Sequence, residues 1–147
     1  MHDKEIKYFS SAIKKVKDEF YLDAINEYTQ LIRECPESEL VDDALYNIGL
    51  CYYQMNQFEK AIKFYQKVVD DHPDSTISIL EGGNEFGKTP AKCHYAMLNC
   101  FLALGSISKA NEQLEFTKNY PNSYVSINGE KKTFTDLAYN LLESYNK

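Results

Sequence analysis

No run of apolar residues approaches the roughly 20 that a membrane-spanning helix needs, so membrane insertion is not expected. Positive charge is not in excess either. Sixteen Lys and Arg stand against 22 Asp and Glu, and the net charge of −6 excludes a nucleic-acid partner held by bulk electrostatics. Met1 opens onto HisAspLysGluIleLys with no apolar signal core behind it. The expectation is a cytoplasmic protein, or a periplasmic one if an export signal preceded this sequence. The four cysteines (Cys35, Cys51, Cys93 and Cys100) make no CxxC pair, so free, partly buried thiols in a reducing compartment are expected. Cys93 and Cys100 share one side of a helix but stand too far apart along its axis to bond.

Catalytic chemistry is missing as well. Of the three histidines, His2 is near the terminus, His72 precedes a proline, and His94 lies beside Cys93 in a helical pattern. Adjacent helical side chains point about 100° apart, which makes His94 and Cys93 a poor ligand pair. No nucleophile–base pair is supported by spacing. The chain is therefore expected to be no enzyme, and to carry no metal and no cofactor.

What is there is a repeat. At 147 residues the chain is one domain with 44% apolar and 26% charged residues, ordinary values for a globular protein. Its clearest phrase places Leu45, Ile48, Gly49, Tyr52, Ala61, Tyr65, Val68 and Pro73 in order. A small residue at Gly49 lets two helices approach, Tyr52 and Tyr65 fill the groove beside it, and Pro73 ends the second helix. Ala24, Ala61 and Ala110 align as small residues near the start of three second helices. Tyr28, Tyr65 and Leu114 follow four positions later, and Leu31, Val68 and Thr117 seven positions later. Pro36, Pro73 and Pro121 close the three copies as ProGluSer, ProAspSer and ProAsnSer. Each serine is expected to cap the next helix.

This spacing resembles the tetratricopeptide-repeat family, whose period is about 34 residues. The Pro-x-Ser terminators are also similar to repeats of bacterial envelope-assembly proteins. The resemblance implies an all-α fold: a right-handed solenoid of about three helix pairs with a C-terminal capping helix. Repeats are expected near 3–36, 39–73 and 90–121, and the capping helix near 135–146, where Leu137, Leu141, Leu142 and Tyr145 form an apolar stripe. Thr89 and Pro90 are expected as N-cap and first helical residue of the third pair. The first repeat is expected to need a turn about two residues longer, putting Ile6, Phe9, Ser10, Ile13 and Val16 on the packing face.

Two connections exceed the period, as inserted loops near 76–89 and 124–134. Both carry Pro-x-Ser-x-(Ile/Val)-Ser-Ile, then Gly and Lys. AsnGly at 128–129 is a turn signal between alternating residues. Joined to the same edge of a solenoid, the two loops are either a structural brace or a binding surface. Within the first, Gly82 to Thr89 reads GlyGlyAsnGluPheGlyLysThr, which matches the phosphate-loop pattern G-x-x-x-x-G-K-[ST] in full. In such a loop Lys88 would reach the phosphates and Thr89 would hold Mg²⁺. Yet no buried parallel sheet accompanies it, no hydrophobic run ends in Asp, and Glu85 would stand inside an anion cradle. The glycines read better as turn residues of a long linker.

The family resemblance implies that the first helix of each repeat lines a concave groove for partner segments. The expected partner-binding residues are Lys7 from the first repeat, Tyr46, Asn47, Leu50 and Tyr53 from the second, and Lys92, Tyr95 and Asn99 from the third. Central tyrosines with lysines at one end suit an extended acidic or amphipathic segment. Some members hold chaperone C-terminal carboxylates in a clamp of Lys, Asn, Asn, Lys and Arg. The corresponding residues here are Lys7, Ser11, Asn47, Lys92 and Ala96, so the clamp is incomplete. The expected function is a non-enzymatic protein–protein adaptor or assembly scaffold binding another protein or peptide. The alternatives are a nucleotide-responsive module at Gly82–Thr89 and a self-assembling repeat protein, a homo-oligomer.

Overall fold

The computed structural model describes residues 3–146; Met1, His2 and Lys147 lie outside them. Among the described residues seven α-helices follow one another, three pairs and a last single helix: α1 (Asp3–Lys17), α2 (Tyr21–Glu34), α3 (Val41–Gln54), α4 (Phe58–Asp71), α5 (Thr89–Ala103), α6 (Ile107–Thr117) and α7 (Phe134–Tyr145). Each helix packs on the next, while α3 also touches α5 and α5 touches α7, so α1, α3, α5 and α7 form the inner row. This is the helical-repeat solenoid that the spacing implies.

The pairs are built alike. Three residues separate the two helices of each pair, and the amides of Phe20, Gln57 and Ser106 donate to the carbonyls of Lys15, Tyr52 and Phe101, each at 2.8 Å. The first turn is therefore not longer than the others, and the shifted register expected for α1 is corrected. Phe9 and Ala12 are buried there, and Ser10 is exposed. Ala12 takes the place of Gly49, and Tyr28 that of Tyr65. In the second pair a methyl on Gly49 would stand 2.7 Å from the Tyr65 ring, which is why glycine is needed. In the third pair Leu98 replaces Gly49, and the smaller Leu114 replaces the tyrosine.

The Pro-x-Ser serines do not cap the following helix. N-cap positions of α3 and α5 fall on Leu40 and Lys88, neither with a side-chain cap. Ser38 instead donates to buried Glu5 at 2.9 Å, tying the end of the first pair to its own first helix. Ser75 stands at the equivalent Asp42. Thr89 is likewise not an N-cap but the first residue of α5, and its hydroxyl donates to Asp42 Oδ2 at 2.6 Å.

The two inserted segments meet. A short 3₁₀ turn (Ile79–Glu81) leads to strand β1 (Glu85–Phe86), and the second insertion is a hairpin of β2 (Tyr124–Ile127) and β3 (Glu130–Thr133). Asn128 and Gly129, with φ of 52° and 82°, make its two-residue turn. β1 pairs antiparallel with β2, giving a three-stranded sheet in the order β1-β2-β3. Gly87 makes this junction possible: its φ is +108°, and a Cβ there would fall 2.6 Å from Ser123 Cα. A capping box starts α7, with Thr133 and Asp136 exchanging hydrogen bonds. Thr117, at a position where the repeat has an apolar residue, bonds Thr135 Oγ1 at 2.9 Å and so ties α6 to α7.

Candidate functional site

A depression of about 300 Å³ opens on the inner row. Ile13, Val16 and Lys17 of α1 form one wall, Tyr46, Asn47 and Leu50 of α3 the floor, and Lys92 of α5 with Glu85 of β1 the other wall. Helix periodicity explains the set. Ile13 and Val16 stand 37 residues before Leu50 and Tyr53, the same offset that relates Ala24 to Ala61, so equivalent faces of equivalent helices converge.

The polar centre is a stack. Tyr46 packs its ring 5.4 Å from the buried ring of Tyr65. Lys92 extends across it with Nζ 4.0 Å from the Tyr46 centroid and 2.7 Å from Glu85 Oε1. Only 5% of Lys92 is exposed. A buried ammonium needs a counter-ion, and here it has a carboxylate on one side and an aromatic face on the other. Lys92 is thus not the solvated point charge that the sequence suggests.

The other expected residues divide. Tyr53 lies further along α3 with its ring 5.4 Å from Phe58, and burial raises its phenol above the usual range. Tyr95 turns its ring toward Phe134 of α7, centroids 6.2 Å apart. The amides of Asn47 and Asn99 donate to the carbonyls one turn back, Asp43 and Tyr95, at 2.8 and 2.9 Å. Lys7 does not join them. It borders a separate hollow with Lys4, Tyr8, Ser11 and Glu27, so Lys7 and Ser11 stand apart from Asn47 and Lys92. Ile13, Val16, Lys17 and Glu85 were missed. The 37-residue offset was the available signal for the first two; nothing in the local sequence marks Glu85.

The phosphate-loop match is folded into the sheet junction. Gly82 and Gly83 take left-handed conformations in the turn before β1. The Lys88 amide donates to Ser123 Oγ at 2.9 Å, the Thr89 amide to the Ser75 carbonyl at 3.0 Å, and Lys88 Nζ to the Asp74 carbonyl at 3.1 Å. With Thr89 Oγ1 on Asp42, the Lys88 and Thr89 side chains that would contact nucleotide each have a partner within the chain. Burial pushes the Cys51 and Cys100 thiols up to about 12, far from reactive thiolates. Among the described residues, no three His, Cys, Asp or Glu are placed to hold a metal, and no helix is long and apolar enough to cross a membrane.

Residues 43–75, spanning α3 and α4, match the family model for the tetratricopeptide repeat. That match covers one helix pair of this chain, and it identifies the segment as a tetratricopeptide repeat. No curated protein sequence matches this chain. Among solved structures it is similar to the Yersinia enterocolitica type III secretion chaperone SycD in complex with a peptide of the translocator YopD. The TM-score is 0.69 at 16% identity, over 99% of this chain and 95% of that one. PcrH from Pseudomonas aeruginosa gives 0.70 at 12% identity, over 100% and 95%. The Sgt2 tetratricopeptide domain from Aspergillus fumigatus gives 0.63 at 16% identity, over 99% and 83%. At these identities the likeness is one of fold.

Proposed function

We propose that this chain is a non-enzymatic adaptor that holds an extended segment of another protein along the inner row of helices, with an apolar side chain of the partner seated in the α1–α3–α5 depression. The carrying observation is that depression: Ile13, Val16 and Leu50 present apolar surface around the Tyr46–Lys92 stack on a wall of rigid helices. Half-buried apolar side chains at a concavity gain from covering, at about 25 cal/mol per Å² removed from water, and rigid helical positions lose little entropy in binding. A structural neighbour, SycD, is described in complex with a translocator peptide, which is consistent with this mode. The Tyr53–Tyr95 stretch extends the same row toward α7 and would contact the segment beyond its anchor.

Leu50→Arg and Ile13→Arg each place a charge on the proposed seat. Affinity capture from native lysate, followed by mass spectrometry, is expected to lose the same specific prey with both. Leu22→Arg, on an exposed residue of α2 outside the depression, should retain it. Prey kept by all three variants would rule out the groove and direct attention to the inserted sheet.

A further inference from the structure

The groove's only deeply buried cation among the residues lining the depression is already matched from inside the chain. Glu85, whose carboxylate holds Lys92 Nζ at 2.7 Å, does not come from a groove helix but from the inserted β1. Its backbone is fixed from both sides. Glu85 pairs with Val125 of β2, the Ser126 amide donates to the Asn84 carbonyl at 2.8 Å, and Gly87 is packed against Ser123. The second insertion therefore holds the first in the position that sets Glu85 against Lys92.

We infer that Glu85 is a specificity residue of the groove: a built-in counter-ion that pre-empts Lys92 and turns away partner segments carrying a carboxylate beside their apolar anchor. This rests on the groove reading above. A ligand carboxylate directed at Lys92 meets Glu85 already seated there, and two carboxylates sharing one ammonium repel. Strand pairing fixes the Glu85 backbone, and turning its side chain away would leave the buried Lys92 ammonium without its carboxylate. The Glu85 side chain keeps 22% of its exposure, against 7% for Lys92, so of this ion pair the acid is the member an incoming segment meets, while the exposed Lys17 stands on the opposite α1 wall. The fitting partner is uncharged or basic next to its anchor. Removing the Glu85 charge reverses the situation, because a buried ammonium left without a counter-ion is costly, and an acidic ligand then supplies the missing carboxylate.

The test is an array of short extended peptides, each with a Leu anchor flanked by Asp, Asn or Lys, probed with wild type, Glu85→Gln, Glu85→Gln/Lys92→Met and Leu50→Arg. Circular dichroism confirms the fold of each. Wild type is expected to bind Asn- and Lys-flanked members at least ~5-fold more tightly than Asp-flanked ones, and Glu85→Gln to reverse that order. The double variant, which keeps neither charge, should bind without regard to the flank, and it decides the matter if Glu85→Gln misfolds. Wild-type preference for Asp, or rejection of Asp that persists in the double variant, would overturn the inference. Charge-blind wild-type binding that Leu50→Arg abolishes would overturn it while leaving the groove reading intact. No binding by any protein would overturn both.

Discussion

Gly49 and His94 show how much single positions decide. An added methyl at Gly49 meets the Tyr65 ring at 2.7 Å, and overpacking of this kind costs about 1–3 kcal/mol. Replacing a mid-helix glycine by alanine returns up to about 1 kcal/mol through helix propensity. The first pair accepts Ala12 with Tyr28, so the helices can adjust, and the net loss belongs at the low end. Gly49→Ala is expected to lower unfolding free energy by about 1 kcal/mol, read as a shifted urea midpoint with unchanged slope. His94 is buried between α5 and α6, its Nδ1 2.7 Å from Gln113 Oε1 and its ring stacked on Phe116. Burial holds its pKa below the usual imidazole value. The unfolded chain thus takes up the proton first as pH falls, so the stabilisation is present in full above ~6.5 and drains away toward the lowered folded value. Wild-type stability should fall as pH drops below ~6.5, and that slope should flatten in His94→Gln even if the variant is weaker throughout. A slope unchanged by the substitution would assign it to other groups.

At the scale of elements, α7 depends on its first turn. Thr133 accepts from the Asp136 amide at 3.0 Å, and Asp136 accepts from the Thr133 amide at 3.3 Å. Thr133→Ala is expected to cost about 1 kcal/mol, with faster amide hydrogen exchange concentrated in α7. Equal protection in both proteins would show that Ala138 and Leu142, packed with Leu98 and Leu102, hold the helix without the cap. The helices themselves were legible because each pair repeats its small residue and, 11 or 12 positions later, its closing proline, with a tyrosine four positions after the small residue in the first two. The register of α1 was not. Its apolar residues occupy two faces: Phe9 and Ala12 pack inside, while Ile13 and Val16 open onto the groove. Periodicity alone cannot say which of two apolar faces is the core. A register that packs Ile13 and Val16 inside puts Lys7, not Ile13, on the groove. The hairpin around Asn128–Gly129 had a local signal. The pairing of β1 with β2 had none, since two residues of strand leave no pattern and their partner lies some 40 positions away.

Over the whole molecule, most of the contact pattern is that of a stack in which each helix meets its neighbours. Within it the tyrosine-lined row was readable from the repeat. The pairing of Lys92 with Glu85 was not, because it is made by tertiary closure of two insertions rather than by any helix face. That closure has a further consequence. Solenoids lengthen by duplicating a unit and letting it stack on the next. Here β1 leaves the chain just before α5 and β2 just after α6, and the two are hydrogen-bonded to each other. They bracket the third helix pair like a clasp. A duplicated pair inserted within that bracket would have to tear the sheet apart, so the stretch inside the clasp has a fixed length, and growth by repetition must take place outside it.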